Sequence, residues 1–331
     1  MAHGAVLERL LIDGFAAMLK SGQASLERVA QDGMRVRASA GAASFRRRPS
    51  LEQCRAAAAA RLSELRAELD ADPGAMSRRH AAQRERAARE RQSRVDAALA
   101  VLDTLAKPAR AKTAKDRPGG TGSGDAGGGP PAPAAEAGAP PKRPAAPRAS
   151  STDAEAKVMK MGDGGFRPAF NLGFASDPKS GLIAAVSLDN RGSDMGKLGP
   201  MSDKLAQDYR QRPKEHLVDG GFVALADIER LAAAGVEVFA PVPKPRDERR
   251  ERYVPLPEDG PGVAAWRRRM GEEPTKTIYK ERAATAECVN GQCRNRGLLR
   301  FLVRGLEKAK AVALLHALAH NMMASWRLAA T

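Results

Sequence analysis

Ala169-Phe170-Asn171-Leu172-Gly173-Phe174-Ala175-Ser176 and Leu182-Ile183-Ala184-Ala185-Val186-Ser187-Leu188 are two apolar runs joined by Asp177-Pro178-Lys179-Ser180-Gly181. The runs have strand length, and the joint has turn chemistry: Asp and Ser can bond their own backbone, Pro fixes φ and Gly accepts a positive φ. A hairpin is predicted. Downstream, Pro200 to Tyr209 reads as a helix, His216 to Asp219 as a short buried strand, Leu225 to Ala233 as a helix and Val236 to Ala240 as another strand. Hairpin, helix, strand, helix, strand is an α/β order. Upstream, Val6, Leu7, Leu10, Leu11, Phe15 and Met18 recur at helical spacing, and Arg28 to Ala38 reads as a strand in which Arg35 and Arg37 alternate with Met34 and Val36. Gly33 weakens the middle of that strand. From about Thr277 to Trp326 the pattern is helical, with a break near Gly297 or Gly305.

Between these parts lies a stretch of different texture. Residues 50 to 106 read as a helical hairpin: Ser50 as N-cap, a stripe of Leu51, Cys54, Ala58, Leu62, Leu65 and Leu69, and a break at Asp72-Pro73-Gly74. The second helix carries Arg78, Arg79, Arg84, Arg86, Arg89, Arg91 and Arg94. Glu85 with Arg89 and Glu90 with Arg94 have supportive i, i+4 spacing, so a solvated face is the first reading and a phosphate-facing one the second. Residues 107 to 152 are rich in Pro, Gly, Ala and Ser and read as a disordered linker. Gly122, Gly124 and Gly127 match G-x-G-x-x-G there without a preceding strand or a following helix, so no dinucleotide site is inferred.

The 331 residues carry a formal net charge of +16, divided as +10 over residues 1 to 150 and +6 over residues 151 to 331. That excess makes nucleic acid the first partner to consider. Cys54, Cys288 and Cys293 cannot build a disulfide framework and read as reduced thiols. Structural zinc is not expected, because paired ligand spacings are lacking. His316 and His320 stand at i, i+4, but Ala317 occupies the position where a zinc peptidase has its glutamate, so both read as packing or hydrogen-bonding groups. The apolar stretch Ala311 to Ala324 is broken by His316, His320 and Asn321, and Glu8, Arg9 and Asp13 interrupt any signal core. A cytoplasmic chain without membrane spans is expected.

Asp32 lies in the first strand, and Asp219 ends a short apolar strand before Gly220-Gly221. If the hairpin extends the sheet on one side of the first strand and the Asp219 strand lies on the other, the two become neighbours, and open α/β sheets bind ligands beyond the carboxyl ends of strands at such a switch point. Glu287 lies on a C-terminal helix with Arg294 two turns on. Three converging carboxylates would suit Mg²⁺ or Mn²⁺. Each also has a plain structural reading: Asp32 and Asp219, each before a glycine, can cap a turn, and Glu287 can be a solvated helix residue.

Gln31-Asp32-Gly33-Met34-Arg35-Val36-Arg37-Ala38, Val158-Met159-Lys160-Met161 with Gly164-Gly165-Phe166, Val218-Asp219-Gly220-Gly221-Phe222, Tyr279-Lys280-Glu281-Arg282 followed by Glu287, and Arg304-Gly305-Leu306-Glu307-Lys308 with Leu318-Ala319-His320-Asn321 occur in that order. Over segments 1 to 48 and 153 to 327 the chain resembles the DDE transposases of bacterial insertion sequences. The resemblance implies a ribonuclease-H-like α/β fold with a mixed sheet and flanking helices, interrupted by a helical and disordered insertion. Residues 1–48 would hold the N-terminal helix and first strand, 49–106 a helical hairpin, 107–152 the linker, and 153–331 the rest of the catalytic domain.

It further implies that Asp32, Asp219 and Glu287 are catalytic and bind two divalent ions, Mg²⁺ or Mn²⁺. Tyr279, Arg282 and Arg294 would contact DNA phosphates, with double-stranded DNA, both transposon ends and target, as substrate and a homo-oligomer as the active form. The family often has Phe-Gly and then Lys after its glutamate, where this chain reads Glu287-Cys288-Val289-Asn290-Gly291-Gln292-Cys293-Arg294. The N-terminal DNA-binding region usual in the family is expected to be missing. The alternative is a truncated, non-catalytic remnant that binds DNA or a full-length partner.

Overall fold

A computed structural model describes residues 3–71, 77–106, 146–245, 247 and 249–329. In chain order the elements are α1 (His3–Lys20), β1 (Arg28–Arg37), β2 (Phe45–Arg46), α2 (Arg48–Ala71), α3 (Arg78–Ala106), β3 (Ala149–Ser150), β4 (Lys157–Lys160), β5 (Phe166–Ser176) and β6 (Ile183–Asp189). They continue with α4 (Leu198–Tyr209), β7 (Glu215–Leu217), α5 (Leu225–Ala233), β8 (Glu237–Phe239), α6 (Pro261–Gly271), α7 (Glu273–Asn295) and α8 (Leu306–Ala329). Two compact units result: Met1–Ala42 with Glu155–Thr331, and Ala43–Ala154.

The first unit is built on a mixed sheet in the order β4-β5-β1-β7-β8, with β6 also paired to β5. β1 runs antiparallel to β5, from Ala30 opposite Ser176 to Arg37 opposite Ala169. On its other edge β1 pairs in parallel with β7, and β7 in parallel with β8. Antiparallel strands followed by parallel strands with helical crossovers, helices flanking, is a ribonuclease-H-like arrangement. Because β5 and β7 lie on opposite edges of β1, the sheet sets the Asp32 strand directly beside the strand that leads to Asp219.

Two apolar clusters hold this sheet. Phe15, Val29, Leu182, Met201 and Leu205 pack in one, and Leu217, Phe222, Phe239 and Trp266 in the other. α8 is tied to β6 by a polar pair: Asn321 Oδ1 accepts the Ile183 N–H at 2.8 Å, and Asn321 Nδ2 donates to the Ile183 carbonyl at 2.8 Å. His320, beside it, lies 2.9 Å from the Gly181 carbonyl and 3.1 Å from Arg296. The histidine is thus a hydrogen-bonding group, as its spacing without a glutamate suggests.

In the second unit α2 buries Leu51, Ala58, Leu62 and Leu65, four members of the expected stripe. Leu51 joins Val95, Ala98, Leu99 and Leu102 of α3 in a small core. The Glu85–Arg89 and Glu90–Arg94 pairs form at 2.6 and 3.5 Å. The helix break expected at Asp72-Pro73-Gly74, the Gly122 to Gly127 match and most of the expected linker fall outside the described residues. The last of the 107–152 stretch contains β3, which pairs with β2.

Four elements were not anticipated. β2 and β3 are two residues each and β4 is four, too short for a periodic signal, and α6 hides its apolar face of Val263, Trp266 and Met270 behind the Arg267-Arg268-Arg269 run. The expected break between the C-terminal helices falls at residues 296–305, where Gly305 adopts a φ of 85°. Among the described residues no helix is long and apolar enough to cross a membrane.

Candidate active site

β1 carries Asp32 in its middle, and an extended strand turns successive side chains to opposite faces. Ala30, Met34 and Val36 share the Asp32 face and are buried. Gly33 faces the other way, where a Cβ would come 3.0 Å from Asp194 Oδ1 and 3.3 Å from Asn171 Oδ1. The glycine that weakens the strand by propensity thus sits where a side chain would press on two polar neighbours. Asp194 there accepts from Arg35 at 2.9 Å and from Asn171 at 2.6 Å. This part-buried polar cluster braces β1 directly behind Asp32.

β7 stops at Leu217, so Asp219 lies just past the strand. Its Oδ1 accepts the Gly221 N–H at 2.8 Å and caps the short turn at Gly220–Phe222. The capping role foreseen for an Asp before glycine is real, and it leaves Oδ2 free to face α7.

α7 supplies the rest. Its buried positions, Thr275, Thr285, Ala286, Val289, Asn290 and Cys293, fall along one side of the helix and define the face turned to the sheet. Arg282 falls on that face. Its Nη2 donates to Asp32 Oδ1 at 3.2 Å and lies 3.7 Å from Asp219 Oδ2, so one guanidinium nitrogen serves both carboxylates. Asn290 Nδ2 donates to Asp32 Oδ2 at 2.8 Å. Tyr279 donates its hydroxyl to the Val218 carbonyl at 3.2 Å, fastening α7 to the residue before Asp219. Burial pushes the Asp32 carboxyl above its ordinary range, opposed by the Arg282 charge and the Gly33 N–H and reinforced by Asp219. Burial likewise raises the Tyr279 phenol.

The six residues expected from the sequence therefore divide. Asp32, Asp219, Arg282 and Tyr279 come together. Glu287 and Arg294 are exposed, because both stand well around the helix from Ala286 and Cys293. Sequence reasoning missed Asn290. A polar residue eight positions after Arg282 and one after Val289, on an apolar helix face, is the signal that could have found it.

The oxygen donors of Asp32 and Asp219 suit a hard divalent cation by their chemistry, and a cationic nitrogen already stands between them. Among the described residues, however, no group of three His, Cys, Asp or Glu side chains is arranged to hold a metal ion. The two aspartates fit such an ion; Glu287, as placed, does not complete the set.

A family described as the transposase DDE domain matches residues 260–325, the stretch of α6, α7 and most of α8. The match contains Tyr279, Arg282, Glu287, Asn290 and Arg294, and it supports a DDE transposase. No curated protein and no solved structure matches the chain.

Proposed function

From the transposase DDE domain matched over residues 260–325, we propose that this chain cuts and joins DNA strands at the ends of a bacterial insertion sequence. One observation carries the reading: Asp32 and Asp219, remote in sequence, meet at a single nitrogen of Arg282 inside the matched segment. Ordinary capping explains one oxygen of Asp219 but gives no reason for the second to face a buried guanidinium and another aspartate.

Asp32 and Asp219 are the proposed holders of Mg²⁺ or Mn²⁺, which when bound supplies charge stabilisation to the attacking and leaving oxygens of an in-line phosphoryl displacement. The chain's own residues prepare that displacement. Arg282 offsets the repulsion of the two carboxylates and fixes their directions, and a fixed dipole or charge costs no reorganisation when reaction occurs. Asn290 holds the other oxygen of Asp32, and Tyr279 keeps the Asp219 turn in place. In the reaction, water breaks one phosphodiester P–O bond to leave a 3′-hydroxyl and a 5′-phosphate. The hydroxyl then displaces a bridging oxygen in target DNA, forming one P–O bond for the one broken. Arg294, whose charge is turned outward, is the remaining candidate for a phosphate contact.

A second reading has its own observation. Glu287 is exposed, and among the described residues no third carboxylate joins the two aspartates as a metal-holding group, as a non-catalytic DNA-binding remnant would tolerate. Nicking of supercoiled plasmid with Mg²⁺ or Mn²⁺, run beside Asp219→Asn and Glu287→Gln, separates the two. Cleavage lost in Asp219→Asn supports the enzyme, and loss in Glu287→Gln as well adds the third carboxylate. No nicking by the unmutated chain supports the remnant, and equal nicking by all three proteins refutes the assignment.

A further inference from the structure

β1 ends at Arg37, which stands opposite Ala169 of β5; Ala169 in turn stands opposite Lys157 of β4. On its other edge Arg37 makes a parallel bridge with Arg300, through its own N–H to the Leu299 carbonyl at 3.1 Å and the Phe301 N–H to its carbonyl at 2.8 Å. Residues in register across a sheet share a face. Lys157, Arg37 and Arg300 therefore form one transverse row of cations, spanning roughly 14 Å at the usual strand separation.

All three are exposed, and none has an ion-pair partner among the described residues. The neighbourhood shows that counter-ions are supplied where cations are structural. Arg35, two residues before Arg37 on the same face, is paired with Asp194 at 2.9 Å, and Arg167 with Asp163 at 2.7 Å. Like charges set directly opposite one another destabilise strand pairing, yet here Arg37 and Arg300 share a bridge. The fold thus maintains a repulsive row at its surface. Arg304, also exposed, is held near the same end of the sheet because the Leu306 N–H donates to Glu155, two residues before Lys157, at 2.8 Å.

We propose that Lys157, Arg37 and Arg300 form a phosphate-binding row for the backbone of double-stranded DNA. The proposal rests on the DNA-processing reading above. By strand alternation Arg37 points to the face opposite Asp32, so the row is a surface of its own and not the rim of the carboxylate pair. It lies about 17 Å along β1 from Asp32, the length of about five base pairs. Its span of roughly 14 Å is close to the ~12 Å width of the major groove, which lets it reach phosphates on both sides of the groove. The contact carries no base reading; it adds affinity and fixes orientation.

The test is fluorescence anisotropy of a labelled 30-base-pair duplex of arbitrary sequence, titrated with the full chain and with the triple variant Lys157→Gln, Arg37→Gln, Arg300→Gln from 50 to 200 mM salt. Loss of three phosphate contacts lowers the slope of log K against log salt by about 2.7, so the affinity lost across that range shrinks by about 40-fold. Circular dichroism checks that the variant is folded. A folded triple variant with the parental slope and affinity overturns the proposal while leaving the transposase reading intact. If the unmutated chain binds no duplex at any salt, the DNA reading itself fails and the row falls with it. Binding of polyglutamate that is lost in the variant while duplex binding is unchanged assigns the row to an acidic protein and also overturns it.

Discussion

Replacing Asn321 by Ala should detach α8 from β6. Asn321 is buried and makes two 2.8 Å hydrogen bonds, one to the Ile183 N–H and one to the Ile183 carbonyl. Ile183 is itself fully buried, so water cannot replace either partner. A buried backbone group left without a partner costs about 1–3 kcal/mol, and two such groups give about 2–6 kcal/mol before any cavity term. Both tryptophans belong to the first unit: Trp266 is 0% exposed and Trp326 79%. Urea unfolding followed by tryptophan fluorescence therefore reports this unit through Trp266. A loss below about 1 kcal/mol for Asn321→Ala would refute the assignment of Asn321 as the polar tie between helix and sheet.

Other consequences can be measured alongside. His216 is fully buried, neither ring nitrogen has a hydrogen-bond partner among the described residues, and burial pushes its pKa down to about 3. Its neutral form supports the fold above pH 6.5, and that support is lost as pH falls towards 3, by up to about 4–5 kcal/mol; His216→Leu should flatten the acid limb of a stability profile, and an unchanged limb would count against it. Asp194 is held by Arg35, Asn171 and Lys197 and has little room to give, so Gly33→Ala should cost about 1 kcal/mol; no loss in the same urea titration would contradict that crowding. Arg282→Met leaves Asp32 and Asp219 facing each other without their cation and should cost about 3–5 kcal/mol at pH 7. Because Asp32 then holds its proton more firmly, the loss should be smaller at pH 4; a loss that grows on acidification would contradict this coupling.

Much of the fold could be read from patterns that carry their own physics. The Asp177 to Gly181 turn fixed the β5–β6 hairpin, and the alternation of Met34, Arg35, Val36 and Arg37 fixed β1. β4 and α6 escaped because one spans only two alternations and the other sets arginines beside its buried tryptophan. Within the site, Asp32 and Asp219 were legible because strand order alone makes them neighbours. The rotation of α7 was not. Glu287 and Asn290 are three residues apart, and only the tertiary packing of Thr285, Ala286, Val289 and Cys293 decides that the amide meets Asp32 while the carboxylate faces solvent. The inward use of Tyr279 and Arg282 was likewise hidden, since an arginine near a carboxylate pair and one awaiting a phosphate look alike in a sequence.

The most direct test of a strand-cleaving site on Asp32 and Asp219 is the chemistry of the ends it makes. Supercoiled plasmid is incubated with the chain and with Asp32→Asn in the presence of Mg²⁺ or Mn²⁺, and nicked product is offered to a DNA polymerase. The account predicts nicks from the unmutated chain that the polymerase extends at once, as 3′-hydroxyl ends allow, and none from Asp32→Asn. Nicks that extend only after phosphatase treatment, or equal nicking by Asp32→Asn, would contradict it.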